Sequence, residues 1–317
     1  MNLSNYNILV VDDSIFSRKY FKNHLSKAGA RVICAKNGSE GLNLCLKKKF
    51  SLILSDINMP VMNGFKFFKE LTNRKIKIPR ILITDADIDK YLHLAIENDI
   101  GNILSKNESS LKLINLCHKL ITQKGLFGLK NYLEGSEKIT TINIINSNQI
   151  KPTIEIICSD AIRAGMREEN KMYLSILLME VIVNAVYHAH GYSLEKRQSK
   201  QVKLKKGEKV EVCFGRNENK FGLAVTDFQG KLTKKRILMA FKSVIDQEKI
   251  IEESTTTSKN IPDLISDTGR GLQMIRIMSN DYYFNIKHDI KTQVIILINI
   301  NEENENNVGS ININEVY

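Results

Sequence analysis

The chain has 317 residues, 43% of them hydrophobic and 26% charged, with a formal net charge of +11. That length sets an expectation of two domains with separate cores, in the composition range of ordinary soluble globular protein, which excludes fibrous and wholly disordered classes. The positive charge is dispersed, with 19 Lys and Arg against 11 Asp and Glu in residues 1–122, and no helix-turn-helix, zinc knuckle or RNA-binding signature accompanies it, so direct nucleic-acid binding is not expected.

The first predicted strand, Asn7 to Val11, runs into Asp12 and Asp13. A second apolar run from Phe50 closes on Asp56 and is followed by Met59, Pro60 and the turn Asn63-Gly64. A third, Arg80 to Ile83, ends in the hydroxyl of Thr84, and a fourth, from Ile103, ends in the ammonium of Lys106. In an open parallel α/β sheet such strand ends gather into one crevice. Crowded carboxylates repel, and a hard cation such as Mg²⁺ relieves the repulsion by taking oxygen ligands. One carboxylate can then attack phosphorus, while a lysine stabilises the phosphoryl oxygens.

With those residues in place, the segment from residue 5 to about 122 resembles a response-regulator receiver domain, a flavodoxin-like, doubly wound five-stranded parallel sheet. The resemblance implies that Asp56 is the phosphoacceptor, that Asp12 and Asp13 hold Mg²⁺ with it, that Thr84 is the switch hydroxyl and that Lys106 contacts the phosphate. It also implies a cognate sensor histidine kinase as partner. Two positions depart from the family pattern: Ile103 stands where an aromatic switch residue is usual, and Asn107 where a proline usually follows the lysine. Both concern how a signal leaves the pocket.

Residues 123–138 read as a connector, since Gly125 and Gly128 interrupt any helix. Leu126, Phe127, Leu129, Tyr132 and Leu133 make it too apolar for a free linker, so it is expected to pack between the domains. A strand at Ile142, a helix over about 149–164, a turn at Ala164-Gly165 and a longer helix over about 170–189 follow. On that last helix Glu180, Asn184 and His188 recur every four residues and share one face. A polar stripe on an otherwise apolar helix calls for a polar cavity or a ligand. A strand from Phe221 ends at Asp227, three residues before Gly230, and the glycine turn Gly269-Arg270-Gly271 opens another helix, a geometry that favours anions. Strands from Asp281 and Thr292 close the pattern. The Asn- and Glu-rich tail, residues 301–317, reads as disordered.

This order is similar to the α+β sandwich of the GHKL ATP-binding fold shared by histidine kinases, gyrase-type ATPases and anti-sigma serine kinases, most closely the last, over residues 139–300. The resemblance implies Mg²⁺ bound through Asn184, Asp227 on the adenine amino group, and His188 and Gly230 in the same ATP site. It further implies Gly269, Arg270 and Gly271 along the phosphates, residues 231–268 as a lid, and Glu180 as general base. One departure is Asp227-Phe228-Gln229-Gly230 where Asp-x-Gly is usual, which sets a side chain at position 229 that would either crowd the base or force a shift onto Gly230.

A sensor kinase would need a phosphoacceptor histidine beside an acid, and His118 has none following it. The two halves together therefore read as a response regulator in which phosphorylation controls an anti-sigma-type serine/threonine kinase of a partner-switching circuit. Its protein partner would be an anti-sigma antagonist or a sigma factor. The alternative is a non-catalytic switch that sequesters such a partner by binding alone. Dimerisation is left open. Five scattered cysteines without paired spacing, no apolar run approaching ~18 residues and no room for a signal peptide fit a cytoplasmic protein.

Overall fold

The computed structural model describes residues 2–136, 138–255, 270–300 and 310–316. The chain divides into two compact units, Met1–Leu126 with Ser310–Asn312, and Phe127–Gly309 with Ile313–Tyr317.

In the first unit the strands are β1 (Asn7–Val11), β2 (Arg31–Ala35), β3 (Leu52–Asp56), β4 (Arg80–Thr84) and β5 (Asn102–Ser105). They alternate with helices α1 (Ile15–Lys27), α2 (Gly38–Lys47), α3 (Gly64–Asn73), α4 (Leu92–Glu97) and α5 (Ser110–Thr122). All pair in parallel, in the order β2-β1-β3-β4-β5. Helices cover both faces, so the central strands are apolar without alternation and every residue of β3 is buried. Ile8, Val10, Leu54 and Ile83 pack with Leu25 of α1 and Leu113 and Leu116 of α5. Ser14, Asn37, Asn63 and Ser109 cap α1, α2, α3 and α5, each accepting from a backbone N–H three residues on. On the free side of β5, Ile311 and Asn312 pair antiparallel with Ile103 and Asn102.

The second unit contains β6 (Ile139–Ile144), α6 (Ile150–Arg163), α7 (Asn170–Val183), α8 (Ser193–Arg197), β7 (Val210–Arg216), β8 (Lys220–Asp227), α9 (Lys234–Thr255), α10 (Arg270–Met278), β9 (Asp281–Lys287), β10 (Lys291–Asn299) and the end of β11 (Ile311–Val316). Its sheet is antiparallel in the order β6-β7-β8-β10-β9, and residues 313–316 add to β9 in parallel. Strand alternation separates two surfaces. Val225, Asp227, Phe284, Thr292 and Val294 look into a cavity walled by helices. Ala224, Tyr283, Ile295 and Leu297 instead pack against Leu129 and Leu133 of the connector. The chain crosses between units after Leu126, and the connector from Phe127 onward is part of the second unit, because that sheet surface offers it an apolar bed. Gly128 N donates to Gln293 Oε1 (2.6 Å), whose amide donates to Thr226 Oγ1 (2.7 Å).

Two expectations are corrected. The helix anticipated over 170–189 is α-helical only to Val183, and Asn184–His188 form a π-helix in which Ala189 N donates to Asn184 O (3.1 Å). The tail is not wholly disordered, since residues 311–316 form β11, while 301–309 lie outside the described residues. Ile311 and Ile313 are buried apolar positions, and the asparagine that follows each is accommodated by a hydrogen bond, Asn312 Nδ2 to Ser310 O (3.2 Å) and Asn314 Nδ2 to Asn285 Oδ1 (2.8 Å). Composition alone hides that pairing.

Gly64 opens α3 directly beneath Asp56. A Cβ there would lie 2.4 Å from Asp56 O and 2.8 Å from Leu82 Cδ2. Gly64→Ala is expected to destabilise the first unit by about 2–3 kcal/mol, read as a lowered urea midpoint, with the backbone under Asp56 displaced.

Candidate functional site

In the first unit the C-terminal strand ends bring Asp12, Asp13 and Asp56 together, with one carboxylate oxygen from each within 4.8 Å of the others. Asp12 and Asp56 are buried and Asp13 is exposed. Lys106 Nζ bridges the buried pair, 2.9 Å from Asp12 Oδ2 and 3.0 Å from Asp56 Oδ1. The other oxygen of Asp12 accepts from Ser14 N (2.8 Å). Arg18, which the sequence did not single out, donates to the carbonyls of Asp12 (2.6 Å) and Asp13 (2.8 Å), holding the acidic turn through its backbone. Thr84 is buried at the end of β4, but its hydroxyl accepts from Ala86 N (3.1 Å) and is engaged within its own loop. Lys106 N donates to Thr84 O (2.7 Å), which ties the lysine to that strand end.

Burial raises the pKa of Asp56 to about 6; the hydrogen bond and charge of Lys106 oppose the rise, and the charge of Asp12 adds to it. Burial pulls Lys106 down, and its bonds to Asp12 and Asp56 more than reverse this. Three carboxylates facing one ammonium leave the pocket net negative, and their oxygen-only donor set fits a hard divalent cation. Mg²⁺ held by Asp12, Asp13 and Asp56 would supply the missing countercharge.

In the second unit a cavity of about 390 Å³ is lined by Glu180, Asn184, His188, Asp227 and Gly271. Three distant segments thus deliver the stripe, the strand-end acid and Gly271 to one place. Asn184 and His188, the first and last residues of the π-turn, line the cavity with Glu180. A Cβ on Gly271 would stand 2.7 Å from Glu180 Cβ, so only glycine lets α10 approach α7 this closely. Asp227 Oδ1 accepts from Gln229 N (2.9 Å) and Gly230 N (3.1 Å). Burial raises its pKa, and those two N–H groups work against the rise. Gly230 has φ +61°, and a Cβ there would meet Lys287 O at 2.4 Å. Gln229 does not crowd the cavity: its amide points to Glu208 Oε1 (3.4 Å). Gly269 lies outside the described residues, and Arg270 is the first residue of α10.

Lys196, Lys231 and Arg236 also line this cavity. Sequence reading missed them because isolated cations in basic stretches carry no periodic signal. His188 Nδ1 lies 2.7 Å from Ser193 Oγ, and its Nε2 lies 3.3 Å from Lys196 Nζ. Burial and the charges of Lys196, Arg236 and Arg197 lower its pKa.

An acidic cluster opposed by a lysine at the C-terminal ends of a doubly wound parallel sheet defines a flavodoxin-like receiver-type domain. Residues 8–118 match the response regulator receiver domain model. The "Probable transcriptional regulator ycf29" of Porphyra purpurea is 30% identical over 144 residues, covering 44% of this chain and 68% of that protein. Its counterpart from Pyropia yezoensis is 32% identical over 120 residues, covering 37% of this chain and 54% of that protein, so the chain spans about half the length of that relative. The chemotaxis protein CheY4 of Vibrio cholerae has a solved structure that is 30% identical with a TM-score of 0.35, covering 36% of this chain and 98% of that one. The chain belongs to the response regulator receiver family through this N-terminal domain. Among the described residues no helix is long and apolar enough to cross a membrane.

The raised pKa of Asp56 gives a signed expectation. The folded protein holds a proton that the unfolded chain has released from about pH 4 upward, so stability falls as pH rises through about 6. Asp56→Asn should therefore stabilise the metal-free protein at pH 8 by about 2–3 kcal/mol, with the advantage vanishing near pH 4. Urea melts across that range check it, and added Mg²⁺ should restore the wild type at pH 8.

Proposed function

We propose that this chain is a two-component response regulator in which phosphorylation of Asp56 by a sensor histidine kinase governs an ATP-binding, anti-sigma-type serine/threonine kinase domain. In the receiver, the Asp56 oxygen not bridged by Lys106 forms the new P–O bond as the P–N bond of the donor phosphohistidine breaks, and the imidazole leaves after taking a proton from solvent. Lys106 stabilises the charge on the transferred phosphoryl oxygens. Mg²⁺, when bound, adds further neutralisation of that charge. Thr84 would have to exchange its bond to Ala86 N for one to the phosphate, which makes its loop the moving part.

The observation that carries the second half of this reading is the single cavity on which Glu180, Asn184, His188, Asp227 and Gly271 converge. Its donor set suits a nucleotide at every point. The buried carboxylate of Asp227 is an acceptor for a base amino group, and its raised pKa marks a charge short of donors. Asn184 offers an oxygen to a hard cation. Lys196, Lys231 and Arg236 complement phosphate charge, and Gly271 allows close backbone approach at the start of α10. ATP, when bound, supplies the phosphoryl group. Glu180 then accepts the proton of a substrate hydroxyl, on a protein of the anti-sigma antagonist type.

Equilibrium binding of labelled ATP with Mg²⁺, with and without acetyl phosphate, tests this reading. Wild type should retain nucleotide, with affinity that changes once Asp56 is phosphorylated. Asp227→Asn should bind at least roughly tenfold more weakly. Glu180→Gln should keep its affinity and lose about 100-fold or more in phosphoryl transfer. Absence of nucleotide binding in both phosphorylation states would remove the kinase assignment and leave a receiver-controlled docking protein.

A further inference from the structure

We infer that β11 is a strap which positions α9, and with it one wall of the cavity, according to the state of the receiver pocket, and that Glu315 is its positioning residue. The inference adds regulation to the nucleotide site proposed above.

Glu315 is the point where β11 takes hold. Its Oε1 accepts from Lys234 N (2.9 Å), its Oε2 lies 3.2 Å from Lys234 Nζ, and His288 Nε2 stands 3.4 Å from Oε1. Lys234 is the first residue of α9, so this carboxylate satisfies one of the free N–H groups at the helix start and opposes the positive end of its dipole. The side chain is 10% exposed, which strengthens each of these interactions relative to open solvent. One turn into α9, Arg236, Ile237 and Ala240 face the cavity. Farther along, Phe241 stacks on Tyr282 and meets Phe284 edge-on, both of β9. Phe284 is itself the register partner of Ile313. The strap therefore grips α9 directly through Glu315 and indirectly through β9.

The start of the same strand belongs to the receiver unit. Ile311 and Asn312 pair with Ile103 and Asn102, and Ser105 N donates to Ser310 Oγ (3.3 Å). Ser310 also bonds Glu108, which pairs with Lys112. The residue after Ser105 is Lys106, the ammonium that holds Asp56. A strand is close to inextensible at about 3.3 Å per residue, so a displacement of β5 that drags Ser310–Asn312 is passed to Ile313–Val316 through one peptide bond. Ile103 carries no ring to swing in response to phosphorylation, and its backbone pairing with Ile311 offers a route that needs none.

Hydrogen exchange read by mass spectrometry over residues 234–241, together with ATP affinity, tests the strap in the full-length protein. Glu315→Gln should speed exchange in this segment while β7 and β8 keep wild-type protection, and should weaken ATP binding roughly tenfold. Acetyl phosphate with Mg²⁺ should change exchange over 234–241 in the wild type and leave it unchanged in Glu315→Gln. Unaltered exchange in that segment on substitution, or on phosphorylation of the wild type, overturns the inference. If the segment responds as expected but no ATP binds, the strap stands and the nucleotide reading falls.

Discussion

A carboxylate buried at the end of a β-strand is the constraint around which both units are organised. Removing such a group from water is costly unless it is paired or hydrogen-bonded. At Asp12 and Asp56 the compensation is the ammonium of Lys106, which lies within 3.0 Å of both. At Asp227 it is a pair of backbone N–H groups from Gln229 and Gly230. Neither compensation is complete, as the raised pKa values of Asp56 and Asp227 record. Each unit thus keeps an underpaired negative charge aimed into a cleft, where a cation or a donor-bearing ligand would find its strongest interaction.

Glycines convert that electrostatic demand into geometry. Gly64 lets α3 start against the carbonyl of Asp56, Gly230 accepts the positive φ that turns backbone donors towards Asp227, and Gly271 lets α10 lie on Glu180. In all three places a methyl group would collide with a neighbour at under 3 Å. These carboxylates are therefore held by close packing of neighbouring backbone as much as by charge, and their positions are correspondingly stiff. The π-turn at Asn184–His188, where the chain leaves α7, carries two polar side chains that line the same cavity.

The surfaces away from the clefts are as specific as the clefts themselves. The second unit's sheet presents Thr226, Asn285 and Gln293 among apolar residues on the side opposite its cavity, and each has a hydrogen-bond partner there. Gln293 serves Thr226, while Gly128 N and Tyr132 from the connector and Asn314 from β11 serve Gln293 and Asn285. Satisfied polar contacts of this kind fix register where a purely apolar surface would tolerate sliding. The connector and the C-terminal strand are thereby both locked to this sheet.

Much of this was legible in the sequence. Strand-end chemistry is local: an apolar run followed by Asp, Thr or Lys states both the element and the residue at its tip, so Asp12, Asp13, Asp56, Thr84 and Lys106 could be named and ordered. Four-residue spacing likewise put Glu180, Asn184 and His188 on one side of a helix, and the strand tip at Asp227 was equally plain. Tertiary structure alone decided the rest, because those features depend on what lies opposite. Gln229 looked obstructive until its amide was found directed at Glu208. Lys196 and Arg236 are unremarkable in the chain and gain meaning only from the cavity they line. The Asn-rich tail has the composition of a solvated segment, yet its residues 311–316 form a strand because β5 and β9 offer them edges to pair with and Lys234 offers a partner for Glu315. Local periodicity and turn chemistry are written residue by residue, whereas edge pairing and charge convergence exist only between residues that the fold brings together.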